Sequence, residues 1–74
     1  MSKKTIDIHE VNNQFEKDIL KLLDEKEKCV YGDIIKDLKV SARRGQEAIF
    51  SLIDKGFVKH VDQSSYLKLN VDLK

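Results

Sequence analysis

Apolar side chains recur along this chain in two rhythms. Between residues 13 and 55 they fall at helical spacing, and beyond Gly56 they alternate with polar residues. Asn13 opens the first helical stretch as an N-cap, with Glu16 three residues later in the spacing of a capping box. Phe15, Ile19, Leu22 and Leu23 then form one apolar stripe, Leu20 lies beside it, and Lys17, Asp18, Lys21 and Asp24 face outward. The charged run Asp24 to Lys28 ends that rhythm, and Cys29-Val30-Tyr31 is a brief β-prone stretch before Gly32. A second helix of barely two turns is predicted from about Gly32 to Lys39, where Ile34, Ile35 and Leu38 share a face and Asp33 suits the positive helix start. Ser41 is the natural N-cap of a third helix running to about Lys55, its inner face made of Gly45, Ala48, Ile49, Leu52 and Ile53, and Gly56 stops it. The alternation from Val58 to Val71, broken by the polar turn Asp62-Gln63-Ser64-Ser65, predicts a β-hairpin.

These elements give an α+β domain spanning residues 13–71, preceded by an arm over 1–12 and followed by a tail over 72–74. In the arm, the alternation Thr5-Ile6-Asp7-Ile8 is too short to decide between an edge strand and a loose segment. Seventy-four residues, 41% of them hydrophobic, with five aromatic residues and no Trp, leave room for one core of Ile, Leu and Val. The lone Cys29 has no partner for an internal disulfide and reads as a small buried hydrophobe. Met1-Ser2-Lys3-Lys4 leads into no signal-peptide apolar stretch and no run approaches a membrane span, so the expected location is the cytoplasm, or the nucleus in a eukaryote.

Net charge is only +1, but it is unevenly spread. Asp7 to Glu27 carries seven acids against three lysines, whereas Lys28 to His60 carries seven bases against four acids. Such a division lets one half face phosphate while the other faces away; ordinary surface scatter is the competing explanation. The inventory argues against catalysis: His9 and His60 lie in different segments, Cys29 has no base–acid pair of the catalytic kind near it in sequence, and neither a glycine-rich phosphate loop nor four-ligand zinc spacing occurs. No enzyme activity, metal, cofactor or small-molecule substrate is therefore expected.

The stretch YGDIIKDLKVSARRGQEAIFSLIDKGFVKHV resembles the winged helix-turn-helix DNA-binding domains of transcription regulators, over roughly residues 13 to 71. The resemblance rests on Ile34 and Leu38, the turn Val40-Ser41, the set Ala48, Ile49 and Leu52, and the step Gly56 to Val58. It implies three packed helices, a two-stranded β wing and a short extra strand between the first and second helices. It further implies that the third helix enters the major groove of duplex DNA. The residues then free to touch DNA are Ser41, Arg43, Arg44, Gln46 and Glu47, with Lys39 in the preceding turn. Arg43 and Arg44 suit phosphate or guanine, Gln46 an adenine edge, and Glu47 a cytosine amine. Phe50, on the border of the stripe, is expected against Phe57 or the second helix. The wing tip DQSS lacks Arg and Lys, leaving Lys59 and Lys68 at the wing base as its phosphate contacts, or as charges that keep the hairpin soluble.

One short recognition helix reads few base pairs, so a weak homodimer on a palindromic site is expected, pairing through Thr5 to Ile8, Leu20, or Val71 and Leu73. Two other readings stay open. Near-neutral charge and the uncharged wing suit a protein-interaction winged helix in a larger assembly. The same stretch is also similar to the winged-helix part of a small ribosomal-subunit protein of archaea and eukaryotes, whose lysine-rich extension this chain lacks, which leaves an RNA-associated role as the third reading.

Overall fold

The computed structural model describes residues 4–61 and 65–74 of the chain. Its elements run β1 (Lys4–Ile6), a 3-10 turn (Ile8–Glu10), α1 (Gln14–Lys26), β2 (Lys28–Val30), α2 (Tyr31–Leu38), α3 (Ala42–Asp54), β3 (Val58–His60), β4 (Tyr66–Leu69) and β5 (Val71–Leu73). This is the expected α+β class with three helices and a small sheet. The helix starts follow local side-chain chemistry. Asn13 Oδ1 accepts from the Phe15 and Glu16 amides at 2.8 and 3.2 Å, and Ser41 Oγ accepts from the Arg44 amide at 3.3 Å. α3 ends in a Schellman motif: the Phe57 amide donates to the Leu52 carbonyl, the Gly56 amide donates to that of Ile53, and Gly56 takes φ +82°.

The strands depart from a two-stranded hairpin with a separate extra strand. β2 pairs with β4 as β3 does, both antiparallel, so the sheet is three-stranded in the order β2-β4-β3 with β4 at its centre. A second, parallel pair joins β1 to β5, with Ile6 opposite Leu73, and the Lys74 amide donates to the Ile6 carbonyl at 2.9 Å. The stretches expected as arm and tail are thus hydrogen-bonded to each other. Asn70, between β4 and β5, ties this pair back to the end of α3 by donating from its side chain to the Gly56 carbonyl at 3.0 Å.

One core lies between the helices and the inner sheet face, built around Ile19, Leu20, Leu23, Ile34, Ile49, Leu52, Val58 and Leu67. Cys29 lies in it, as a small hydrophobe would, and burial raises its thiol pKa. The expected inner face of α3 is buried at Gly45, Ala48, Ile49 and Leu52, with Ile53 half-buried. α1 requires a correction. Its buried stripe is Glu16, Ile19, Leu20 and Leu23, while Phe15 and Leu22 are only half-buried, so the buried face is turned by about 60° from the one expected. The cause is Glu16. Instead of returning to the Asn13 backbone to complete a capping box, its carboxylate crosses to α3, accepting from Ser51 Oγ at 3.0 Å and Lys55 Nζ at 2.9 Å. With these two donors its side chain tolerates being 6% exposed.

Candidate nucleic-acid interface

α2 and α3 are joined by a tight turn. Lys39 ends α2 in the left-handed conformation at φ 55°, ψ 38°, and Ser41 already caps the next helix. Where the helices meet, Gly45 is buried, and a β-carbon there would lie 2.8 Å from Ile35 Cγ1 and 3.4 Å from Val40 Cγ2. The absent side chain sets how closely α3 approaches α2, and so which of its residues emerge.

The expected contact residues fall into two groups. Lys39, Ser41, Arg43, Arg44, Gln46 and Glu47 are all exposed along the turn and the first half of α3. Within them the arginines diverge. At 100° per residue, Arg43 shares the outermost line of α3 with Glu47, Phe50 and Asp54, and Gln46 lies at its side. Arg44 lies on the flank towards α1, lining a shallow depression with Asn13, Glu16 and Ser51. Arg43 Nε meets Glu47 Oε1 at 3.4 Å, an exposed pair on neighbouring turns that holds loosely and is screened by salt. The outer face of α3 is therefore charged but not strongly basic.

Lys59 and Lys68 stand apart from this group, on the outward face of the sheet, directly opposite each other on β3 and β4. Lys28 on β2 faces Lys68 from the other side. Three lysines thus cross the whole sheet in one row. Sequence reading missed Lys28 as a member because only the β2–β4 register brings it there. Of the expected wing tip, Asp62 to Ser65, all but Ser65 lies outside the described residues.

An aromatic cluster links α3 to the sheet. Tyr31, the first residue of α2, has its ring centroid 6.1 Å from Phe50 and 6.0 Å from His60, and its hydroxyl is 3.2 Å from His60 Nε2. Phe50 does reach the start of the second helix as expected, yet it remains 56% exposed, a large apolar ring on the same outer line as Arg43. His60 helps position Tyr31, a role its place in the hairpin sequence did not suggest. Burial also raises the pKa of the Tyr31 hydroxyl.

Among the described residues no group of three His, Cys, Asp or Glu side chains is arranged to hold a metal, and no helix is long and apolar enough to cross a membrane. Compared with known proteins, the chain matches no family model, no curated protein and no solved structure.

Proposed function

We propose that the chain is a winged-helix domain that binds duplex DNA through α3, acting as a small transcriptional regulator. The observation that carries this reading is the division of α3. One stripe is packed into the core through a glycine contact with α2, and the opposite line presents Arg43, Gln46, Glu47 and Phe50 to solvent directly after a tight turn. The order helix, strand, helix, turn, helix, hairpin is also that of the winged-helix families the sequence resembles. In the groove, Arg43 exchanges its weak pairing with Glu47 for a phosphate or guanine, Gln46 reads a base edge, and Phe50 meets a thymine methyl. Arg44 and Lys39, on the flank and in the turn, serve the backbone. Two copies on a two-half-site duplex complete the reading.

Binding to duplex DNA and duplex RNA across a salt series tests it. Arg44→Ala should weaken binding to all DNA sequences and reduce the salt slope by about one unit, whereas Gln46→Ala should change the preference among sequences. Absence of duplex binding at low salt, or unchanged binding by both variants, overturns the reading. A second reading, a protein-interaction domain, is favoured by the exposed Phe50 beside the acids Glu47 and Asp54. It expects Phe50→Ala to abolish partner binding while Arg44→Ala leaves it intact.

A further inference from the structure

The lysine row on the sheet is not explained by the fold. Lys28, Lys68 and Lys59 stand side by side on adjacent strands, spanning about 10 Å at the usual strand spacing. Like charges directly opposite one another destabilise a sheet. Among the described residues none of the three has a carboxylate within ion-pairing distance, whereas Lys26, Arg43 and Lys55 each do. Solubility of a sheet edge gives a reason for lysine on β2 and β3, but not for Lys68, which sits on the central strand.

What surrounds the row is asymmetric. At one end of the sheet, Asp24, Glu27 and Asp72 share a shallow depression with Lys68 and repel an anion. Towards the other end, on the same outward face, lies Tyr66, 42% exposed, with Lys28 Nζ 5.0 Å from its ring centroid. A cation and an exposed aromatic ring are thereby placed within the reach of one nucleotide, with further cations beside them. Phosphate-tracking lysines and a stacking ring on an open face are the means by which single strands are held without base-pair geometry. A duplex hides its bases from such a ring.

We propose that the outward face of the β2-β4-β3 sheet is a second nucleic-acid surface, which takes a single-stranded segment with its phosphates on the Lys28–Lys68–Lys59 row and a base stacked on Tyr66. The surface contains no residue of α3, although Lys59 and Lys68 are also the phosphate contacts expected at the wing base, so it is the α3 variants that separate it from the duplex-binding reading.

Fluorescence anisotropy of a labelled twelve-residue oligothymidylate with the full chain tests the proposal. The triple variant Lys28→Gln, Lys59→Gln, Lys68→Gln should lose at least about tenfold in affinity and about two units of salt slope. Its melting temperature should be unchanged or raised, because the row repels itself. Tyr66→Leu should cost at least about fivefold with little change in salt slope. Arg43→Ala with Gln46→Ala should leave oligothymidylate binding intact, so failure of the α3 reading and failure of this one are told apart. Wild-type affinity in the lysine variant overturns the proposal. So does an unaffected Tyr66→Leu variant, and so does a duplex of equal length or an anionic vesicle that displaces the oligothymidylate as well as unlabelled single strand does.

Discussion

Gly45→Ala tests whether the contact between α2 and α3 is as close as it stands here. In an exposed helix interior this exchange stabilises by about 1 kcal/mol, because alanine loses less backbone freedom on folding. At this position the new β-carbon meets Ile35 Cγ1 at 2.8 Å, closer than such atoms tolerate, with Val40 Cγ2 at 3.4 Å and Ile35 Cδ1 at 3.5 Å. Cγ1 is attached directly to the branched β-carbon, so relief requires turning the whole Ile35 side chain or moving a helix. Overpacking of this kind costs about 1–3 kcal/mol, and the net expectation is a loss of about 0–2 kcal/mol. Truncating the partner isolates the cause. In an Ile35→Ala background the overlap is gone, and Gly45→Ala should then stabilise by about 1 kcal/mol, leaving a coupling of about 1–3 kcal/mol between the two sites. Urea unfolding of the four proteins, followed by circular dichroism, measures it. A stabilising Gly45→Ala in the wild-type background, with additive effects in the double variant, would refute the close approach.

Leu52 is fully buried, so Leu52→Ala should cost about 2–5 kcal/mol in the same urea assay, a large share of what so small a domain possesses; wild-type stability would show that α3 is not packed on this face. Lys39 holds a left-handed conformation without being glycine, so Lys39→Gly should raise stability by about 0.5–1 kcal/mol relative to Lys39→Ala, which controls for the lost charge; equal midpoints would contradict the turn geometry. Among the described residues, Cys29 and Tyr31 have folded pKa values raised above their unfolded ones by burial, and Lys26 by its hydrogen bond to Asp37. Each therefore binds its proton more tightly when folded, so their contribution is fully present at neutral pH and is lost as pH climbs from about 9 upward. Cys29→Val should flatten the first part of that decline, and a stability profile level from pH 8 to 11 would contradict the burial.

What the sequence disclosed was local. Asn13, Ser41 and Gly56 act within one helical turn of themselves, and their chemistry marks the ends of α1 and α3 wherever the rest of the chain goes. The inner face of α3 was readable because its apolar positions carry no polar exception. α1 was misjudged at two of the four positions of its buried stripe, Glu16 and Leu20, because Glu16 is polar by type and buried by circumstance, its donors lying 35 and 39 residues away. The parallel pairing of β1 with β5 joins the two ends of the chain through strands of three residues, too short for alternation to declare itself. The lysine row has the same origin: Lys28 ends a charged run in sequence and becomes the neighbour of Lys68 only through strand register.

These long-range pairings bear on how two copies would meet in the proposed DNA complex. The surfaces expected for self-association are largely spent within the chain. Leu20 is fully buried, Ile6 faces Leu73 across the parallel pair, and Val71, opposite Lys4 in the same pair, is buried. The large apolar side chains left exposed among the described residues are Phe50 and Tyr66, and each lies on one of the two proposed nucleic-acid faces. In the proposed duplex complex Phe50 lies in the groove while Tyr66, on the sheet, stays outside it, so a second copy finds mainly polar surface around that one ring among the described residues. Polar contact of small area contributes little affinity in solution but becomes effective when two copies occupy adjacent half-sites, because the duplex raises their concentration relative to one another. On the proposed reading, selectivity would then reside in the spacing of the half-sites, and self-association would follow DNA binding rather than precede it.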